Sequence, residues 1–203
     1  MATIKLEGLN VASSANSVVT LDGSVAIAAN HAGVKTALNA SGDAPIYACR
    51  AWVNFRGTSQ SGTATASGLV TGLYTATVVT ATQFTVEYSG TTYTINTSGN
   101  HEIGDGEGVD LTVSGTTVTI DTQIRGSGNV SSCQDNGSGN YTVNFATVMS
   151  DANYSIGGDL RGSAGYGSPM IVTSYTSSSF TVQSKDNAGN LGDRPHCDLQ
   201  VFR

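Results

Sequence analysis

The sequence predicts an all-β protein: an antiparallel β-sandwich carrying a small inserted β domain and an N-terminal attachment segment. Three observations predict it. Apolar and polar residues alternate along several runs, such as Tyr47 to Phe55 and Tyr141 to Phe145, the period of a strand with one buried face. Short runs rich in Val, Thr, Tyr and Phe are separated by polar turn clusters such as Ser89-Gly90, Ser114-Gly115 and Asp135-Asn136-Gly137-Ser138-Gly139, the spacing of antiparallel strands. Hydrophobic residues reach 38% and charged residues only 12% of the 203. So low a charge argues against disorder, and so thin a core is often reinforced by oligomerisation.

Residues 1–44 are read as an attachment or stem segment without a core of its own. Ile4, Leu6 and Leu9 make a short β-like start, Val18-Val19-Thr20-Leu21 leads into an Asp22-Gly23 turn, and Val34 to Leu38 reads as one or two helical turns stopped by Ser41-Gly42. In the next segment Tyr47, Cys49, Ala51, Val53 and Phe55 share one apolar face, while Ile46, Ala48, Arg50, Trp52 and Asn54 share the other. Trp52, the only Trp of the chain, is expected to pack in a core, as Trp usually does.

Residues 59–121 differ in texture and are read as a five- or six-stranded inserted unit. Tyr74 to Val79 and Phe84 to Tyr88 pair, Ser89-Gly90 turns the chain into Thr92 to Ile95, and Leu111-Thr112-Val113 pairs with Thr117 to Ile120 around Ser114-Gly115. Residues 122–203 return to long alternation through Tyr141, Val143 and Phe145. A hairpin of Ile171 to Tyr175 and Phe180 to Gln183 comes next, and Leu199 and Val201 mark a last strand. The sandwich is therefore expected from residues 45–58 together with 122–203.

A net charge of −6 and the lack of any Lys/Arg run speak against nucleic acid, whose phosphates demand clustered cations. No apolar run approaches the ~20 residues of a membrane span, and Met1 to Gly8 lacks the features of a secretory signal. The expectation is synthesis in a cytoplasm without an export label. Cys49, Cys133 and Cys197 form no metal motif, and their odd number leaves small buried hydrophobes as the reading. His31, His101 and His196 sit in no nucleophile elbow and no H-E-x-x-H helix. The chain is read as a non-enzyme.

Two stretches carry candidate sites. Glu102, Asp105, Glu107 and Asp110 form the densest carboxylate cluster and are candidate hard-oxygen ligands for Ca²⁺, although their spacing is not that of an EF-hand; the competing reading is a solvated polar loop. No other cofactor is indicated. The Gly-rich stretch from Gly157 to Ser168 contains Arg161 and Tyr166. It is read as a receptor-binding loop in which Tyr166 offers a ring face to a sugar; a packed tyrosine or a subunit contact is the alternative.

Two blocks resemble a module of tail-fibre and appendage proteins of tailed bacteriophages, especially those of marine bacteria. They are Ala44-Pro45-Ile46-Tyr47-Ala48-Cys49-Arg50-Ala51-Trp52-Val53-Asn54-Phe55-Arg56-Gly57-Thr58, and Ile124-Arg125-Gly126-Ser127-Gly128-Asn129-Val130-Ser131-Ser132 with Asp135 to Phe145 and Met149 to Ile156. In that family the blocks run on almost directly, so residues 59–121 stand as an insertion at a loop, where added chain costs little entropy and new surface is displayed. The resemblance implies a virion protein: a homotrimeric tail-fibre or adhesin subunit that contacts other virion proteins and displays a host-surface glycan-recognition face. The last region more loosely resembles H-type lectin β-sandwiches, which are trimeric sugar binders, through Phe145, Met149 and Asn153-Tyr154. Two alternatives stay open: a capsid decoration or head-fibre protein, and a free carbohydrate-binding lectin-like module with aromatics converging on one face.

Overall fold

A computed structural model describes residues 2–6, 9–15, 18–21, 49–162, 167–186 and 188–203. Every regular element among them is a β-strand and every pairing is antiparallel. The chain divides into two compact units, Met1–Tyr47 and Ala48–Arg203. The first is a three-stranded meander of β1 (Ala2–Leu6), β2 (Leu9–Ala15) and β3 (Val18–Leu21) in that order. The helical turns expected at Val34 to Leu38 lie outside the described residues.

The second unit holds two cores. One lies in a sandwich. Its larger face is β15 (Gly167–Ser168), β14 (Ser155–Arg161), β18 (His196–Phe202), β4 (Cys49–Arg56) and the end of β11 (Thr117–Gly128). Its smaller face is β12 (Val130–Asp135), β13 (Asn140–Phe145), β17 (Ser179–Ser184) and β16 (Met170–Tyr175). Alternation does the sorting: Ala51, Val53 and Phe55 of β4 point inward, as do Tyr141, Val143 and Phe145 of β13 and Cys197, Leu199 and Val201 of β18. Phe55 meets Tyr141 edge-on at 5.2 Å, and Phe145 meets Tyr154 at 5.7 Å. Each such ring fully removed from water contributes roughly 1.5–3 kcal/mol.

The other core draws its buried residues from Ala64 to Ile120. Here the sheet runs β6 (Gly72–Thr75), β10 (Gly108–Ser114), β11, β5 (Gln60–Ala64), β9 (Thr91–Thr97), β8 (Gln83–Tyr88) and β7 (Thr77–Thr80). Its end strands, β6 and β7, are consecutive in the chain and joined by Ala76 alone, which is fully buried. The sheet therefore rolls back on itself around Phe84, Val86, Ile95, Leu111 and Ile120. The single strand expected from Tyr74 to Val79 is thus two strands with a corner at Ala76, one pairing with β10 and the other with β8. The hairpins expected at Ser89-Gly90 and Ser114-Gly115 form, as does the one joining β16 to β17.

β11 serves both cores without interruption. Thr117 to Ile120 pair with β5, and Gln123 to Gly128 pair with β4, with Ile124 opposite Phe55. A bulge at Arg125 separates Ile124 from Gly126. Such an extra residue bends a strand and re-aims the side chains beyond it. At the far end Asn129, with φ of 57°, turns the chain out of this sheet and into β12 of the facing one.

Candidate functional site

β4 presents two faces, and the outer one carries Arg50, Trp52, Asn54 and Arg56. Trp52 does not pack in a core, contrary to the expectation from its residue type: it is 45% exposed. The inner face is taken by Ala51, Val53 and Phe55, so the register directs the indole outward. It lies across β11, on Gly126 and Gly128. A Cβ placed on Gly126 would come within 3.4 Å of Cη2, and one on Gly128 within 2.8 Å of Cδ1. The two glycines make a shallow bed for the ring, and the rest of the indole remains open to solvent. On the other side of Trp52 the paired residue is Gln200 of β18, followed by Gly157 of β14.

Next to the ring runs a row of hydrogen-bonded polar side chains. The Asn54 amide donates to the Asp198 carboxylate, and the Asn54 carbonyl accepts from Arg125 Nη1 at 3.0 Å. Arg125 also donates from Nε to Glu102 Oε2 at 2.6 Å and from Nη2 to the Pro195 carbonyl at 2.6 Å. Arg56 reaches the other oxygen of Glu102 at 3.1 Å. At the opposite end Arg161 Nε pairs with Asp159 at 2.8 Å, and its Nη2 approaches Asp198 at 3.4 Å. These exposed ion pairs add little stability. They do hold donors and acceptors in a fixed row about two residues, or ~6–7 Å, along the strand from the ring. An apolar ring face beside such a row suits a pyranose, whose C–H face stacks and whose hydroxyls form hydrogen bonds.

Of the two receptor-binding candidates, Arg161 lies at the end of β14 on this face; Tyr166 lies outside the described residues. The four carboxylates proposed for Ca²⁺ are not brought together, and no group of three potential ligands converges among the described residues. Each is held elsewhere. Glu102 is clamped by Arg56 and Arg125. Asp105 accepts the Val78 N–H at 2.9 Å. Glu107 accepts the Ser127 N–H at 3.0 Å and hydroxyl at 2.7 Å. Asp110 accepts the Asp135 N–H at 2.9 Å. The acidic loop therefore fastens strands instead of forming a cage. Like charges separate wherever each can find its own donor.

The thiols follow burial. Cys133 and Cys197 are free and buried in the sandwich core, whereas Cys49 is exposed at the start of β4, against the expectation of a buried small residue. Burial pushes the Cys133 thiol well up and the Cys197 thiol up to about 12, so both stay protonated and unreactive at neutral pH. His101 is structural as well: Nε2 meets the Thr80 carbonyl at 2.9 Å and the ring stands edge-on to Phe84 at 5.5 Å. Sequence reasoning missed Trp52 as a surface residue; the signal was present in Gly126-Ser127-Gly128, whose alternation places two glycines on one face of β11. Comparison with protein-family models, curated proteins and solved structures returned no match.

Proposed function

We propose that the chain is a structural subunit of a tailed-phage particle, a homotrimeric tail-fibre or adhesin subunit that displays a glycan-recognition face toward the host surface. The observation that carries the recognition role is Trp52, half-exposed and laid flat on Gly126 and Gly128 beside the fixed row of Arg161, Asp198, Asn54 and Arg125. The virion setting is supported by the sequence blocks that resemble phage appendage modules, both of which contribute strands to this face. One such face holds a sugar through a single ring contact and a few hydrogen bonds, which corresponds to about millimolar affinity, near 4 kcal/mol. Three copies on one subunit assembly, and many assemblies on one particle, raise retention by orders of magnitude without new contacts.

Retention of labelled protein on immobilised bacterial lipopolysaccharides and capsular polysaccharides tests the reading, with Trp52→Ala as the control and light scattering as the measure of assembly. The expected result is a trimer mass, retention of the native protein on a subset of glycans, and loss of retention in Trp52→Ala with unchanged melting. A monomer at micromolar concentration, or equal retention of the two proteins, overturns it.

A further inference from the structure

The rolled sheet of the second core does not close on itself. β6 pairs with β10 alone and β7 with β8 alone, so β6 and the end of β8 flank an open seam. The alternation of an antiparallel ladder decides which main-chain groups face it. The Ala76 N–H and carbonyl are both engaged on the β10 side, by Glu107 and Gly106. Tyr74 and Gly72 are in phase with Ala76 and bond to β10. Leu73 and Thr75 therefore turn their N–H and C=O groups to the seam, ~7 Å apart along the strand. Across the seam, the hairpin closes at the Tyr88–Thr91 pair. That directs Tyr88 and Val86 to β9 and Glu87 to the seam, beyond Thr85, where the pairing with β7 stops.

A cleft of about 370 Å³ occupies the seam, lined by Leu73, Tyr74, Thr75, Thr77 and Glu87. Tyr74 is fixed there: its hydroxyl donates to the Val70 carbonyl at 2.6 Å, and its ring stands edge-on to Tyr88 at 6.4 Å. The lining holds one carboxylate and no cation, and none of the ion pairs among the described residues uses Glu87. Open strand edges are ordinarily blunted by charge, Pro, a bulge or a covering element. β16, the edge of the smaller sandwich sheet, has a bulge between Val172 and Ser174. β6 is only four residues long, but it carries no charge, Pro or bulge, and Leu73 on it is 41% exposed.

We infer that this seam takes up an extended peptide segment of a partner protein, added as a strand along β6 and carrying a Lys or Arg against Glu87. Main-chain donors and acceptors at strand spacing are matched by another extended chain. A sugar ring would leave the groups of Leu73 and Thr75 out of register. The lone carboxylate selects a basic segment over an acidic one. The inference is independent of the Trp52 face and of the glycan reading.

NMR titration and amide exchange of the isotope-labelled full chain test it with acetyl-Thr-Val-Lys-Val-Thr-amide, with its counterpart bearing Glu in place of Lys, and with the Lys peptide N-methylated throughout. The Lys peptide is expected to shift the amide signals of Leu73, Thr75 and Glu87 and to slow their exchange about tenfold or more when bound. The Glu peptide should bind about fivefold more weakly, the factor that an exposed charge pair gives, and the N-methylated peptide should not bind. Glu87→Gln, a replacement at an exposed position, should abolish the discrimination between the Lys and Glu peptides and keep binding. Unchanged exchange at Leu73 and Thr75, equal binding of the N-methylated peptide, or a preference that survives Glu87→Gln overturns the inference. Displacement of the Lys peptide by methyl glucoside overturns it as well, and makes the seam a sugar site.

Discussion

Replacing Tyr141 with Phe should loosen the joint from which the chain leaves β4 for the second core. Tyr141 is fully buried on β13. Its hydroxyl donates to the Gly57 carbonyl at 3.0 Å, accepts the Arg194 N–H at 3.2 Å, and lies 3.3 Å from the Asp193 carboxylate. Gly57 in turn donates its N–H to the Arg194 carbonyl at 2.8 Å. One oxygen thus ties the end of β4, the strand β13 and the segment that leads into β18. Phe fills the same volume and keeps the edge-on contact with Phe55, so the loss is confined to the hydroxyl. The Gly57 carbonyl and the Arg194 N–H lose a partner in a closed space, which costs about 2–3 kcal/mol after the usual discount for lost solvation. At about 2–4 °C per kcal/mol for a domain of this size, Tm should fall by ~4–12 °C. Calorimetric melting of the full chain measures it. A loss below about 0.5 kcal/mol would mean that the hydroxyl is not the tie that the geometry indicates.

Gly128→Ala places a Cβ against the Trp52 indole; the ring is free to lift, so stability should change by no more than about 1 kcal/mol while Trp emission shifts to the red and glycan retention falls, and an unaltered emission spectrum would refute the flat-lying ring. Burial raises the carboxyl pKa values of Asp110, Asp121 and Asp135. A raised folded-state pKa means that this share of stability is complete below the ordinary carboxylate range near ~4 and is lost as pH rises through the shifted values. Tm should therefore decline as pH climbs from about 4 toward neutrality, with a smaller decline in Asp110→Asn. At lower pH the trend reverses, because Asp151 and Asp186 are held below the usual range by backbone N–H donors and lose that contribution on protonation. Melting curves across about pH 2–7 check both limbs. Joining Thr58 directly to Thr122 should leave a sandwich that melts cooperatively, because Arg56 and Gln123 are already paired across β4 and β11 and only a three-residue hairpin loop is needed; a soluble product without a cooperative transition refutes it.

The turns were legible because their chemistry is local. Ser89 and Gly90 both adopt positive φ, at 50° and 74°, as a tight hairpin between twisted strands requires, and a Ser-Gly pair between two Thr/Val/Tyr runs announces that from sequence alone. The corner at Ala76 was not legible. Tyr74-Thr75-Ala76-Thr77-Val78-Val79 reads as unbroken strand, and the break is imposed by partners distant in the chain: the Ala76 N–H donates to the Glu107 carbonyl, and the Gly106 N–H donates to the Ala76 carbonyl. The acidic loop misled for the same reason. Carboxylates close in sequence look like a ligand set, yet each finds its partner on another strand, at Arg125, Val78, Ser127 and Asp135.

Trp52 shows where residue type and pattern compete. Its type argues for burial, since a Trp taken from water contributes more than any other side chain. Its position argues against it, because Ala51, Val53 and Phe55 claim the inner face and a one-residue shift would exchange the whole set. Position wins: turning one indole inward would turn Val53 and Phe55 outward. The indole then recovers part of its burial on Gly126 and Gly128, and that is available only because the bulge at Arg125 places both glycines on the outer face. Glycine weakens a strand interior by leaving nothing to pack, so two of them beneath one exposed ring are costly for stability alone. Larger residues there would pack against β4 and β11 and leave no flat ring. On the proposed glycan-recognition reading that cost is offset by a ligand that needs the open face of Trp52, and the Gly128→Ala variant tests it by moving the ring without touching either core.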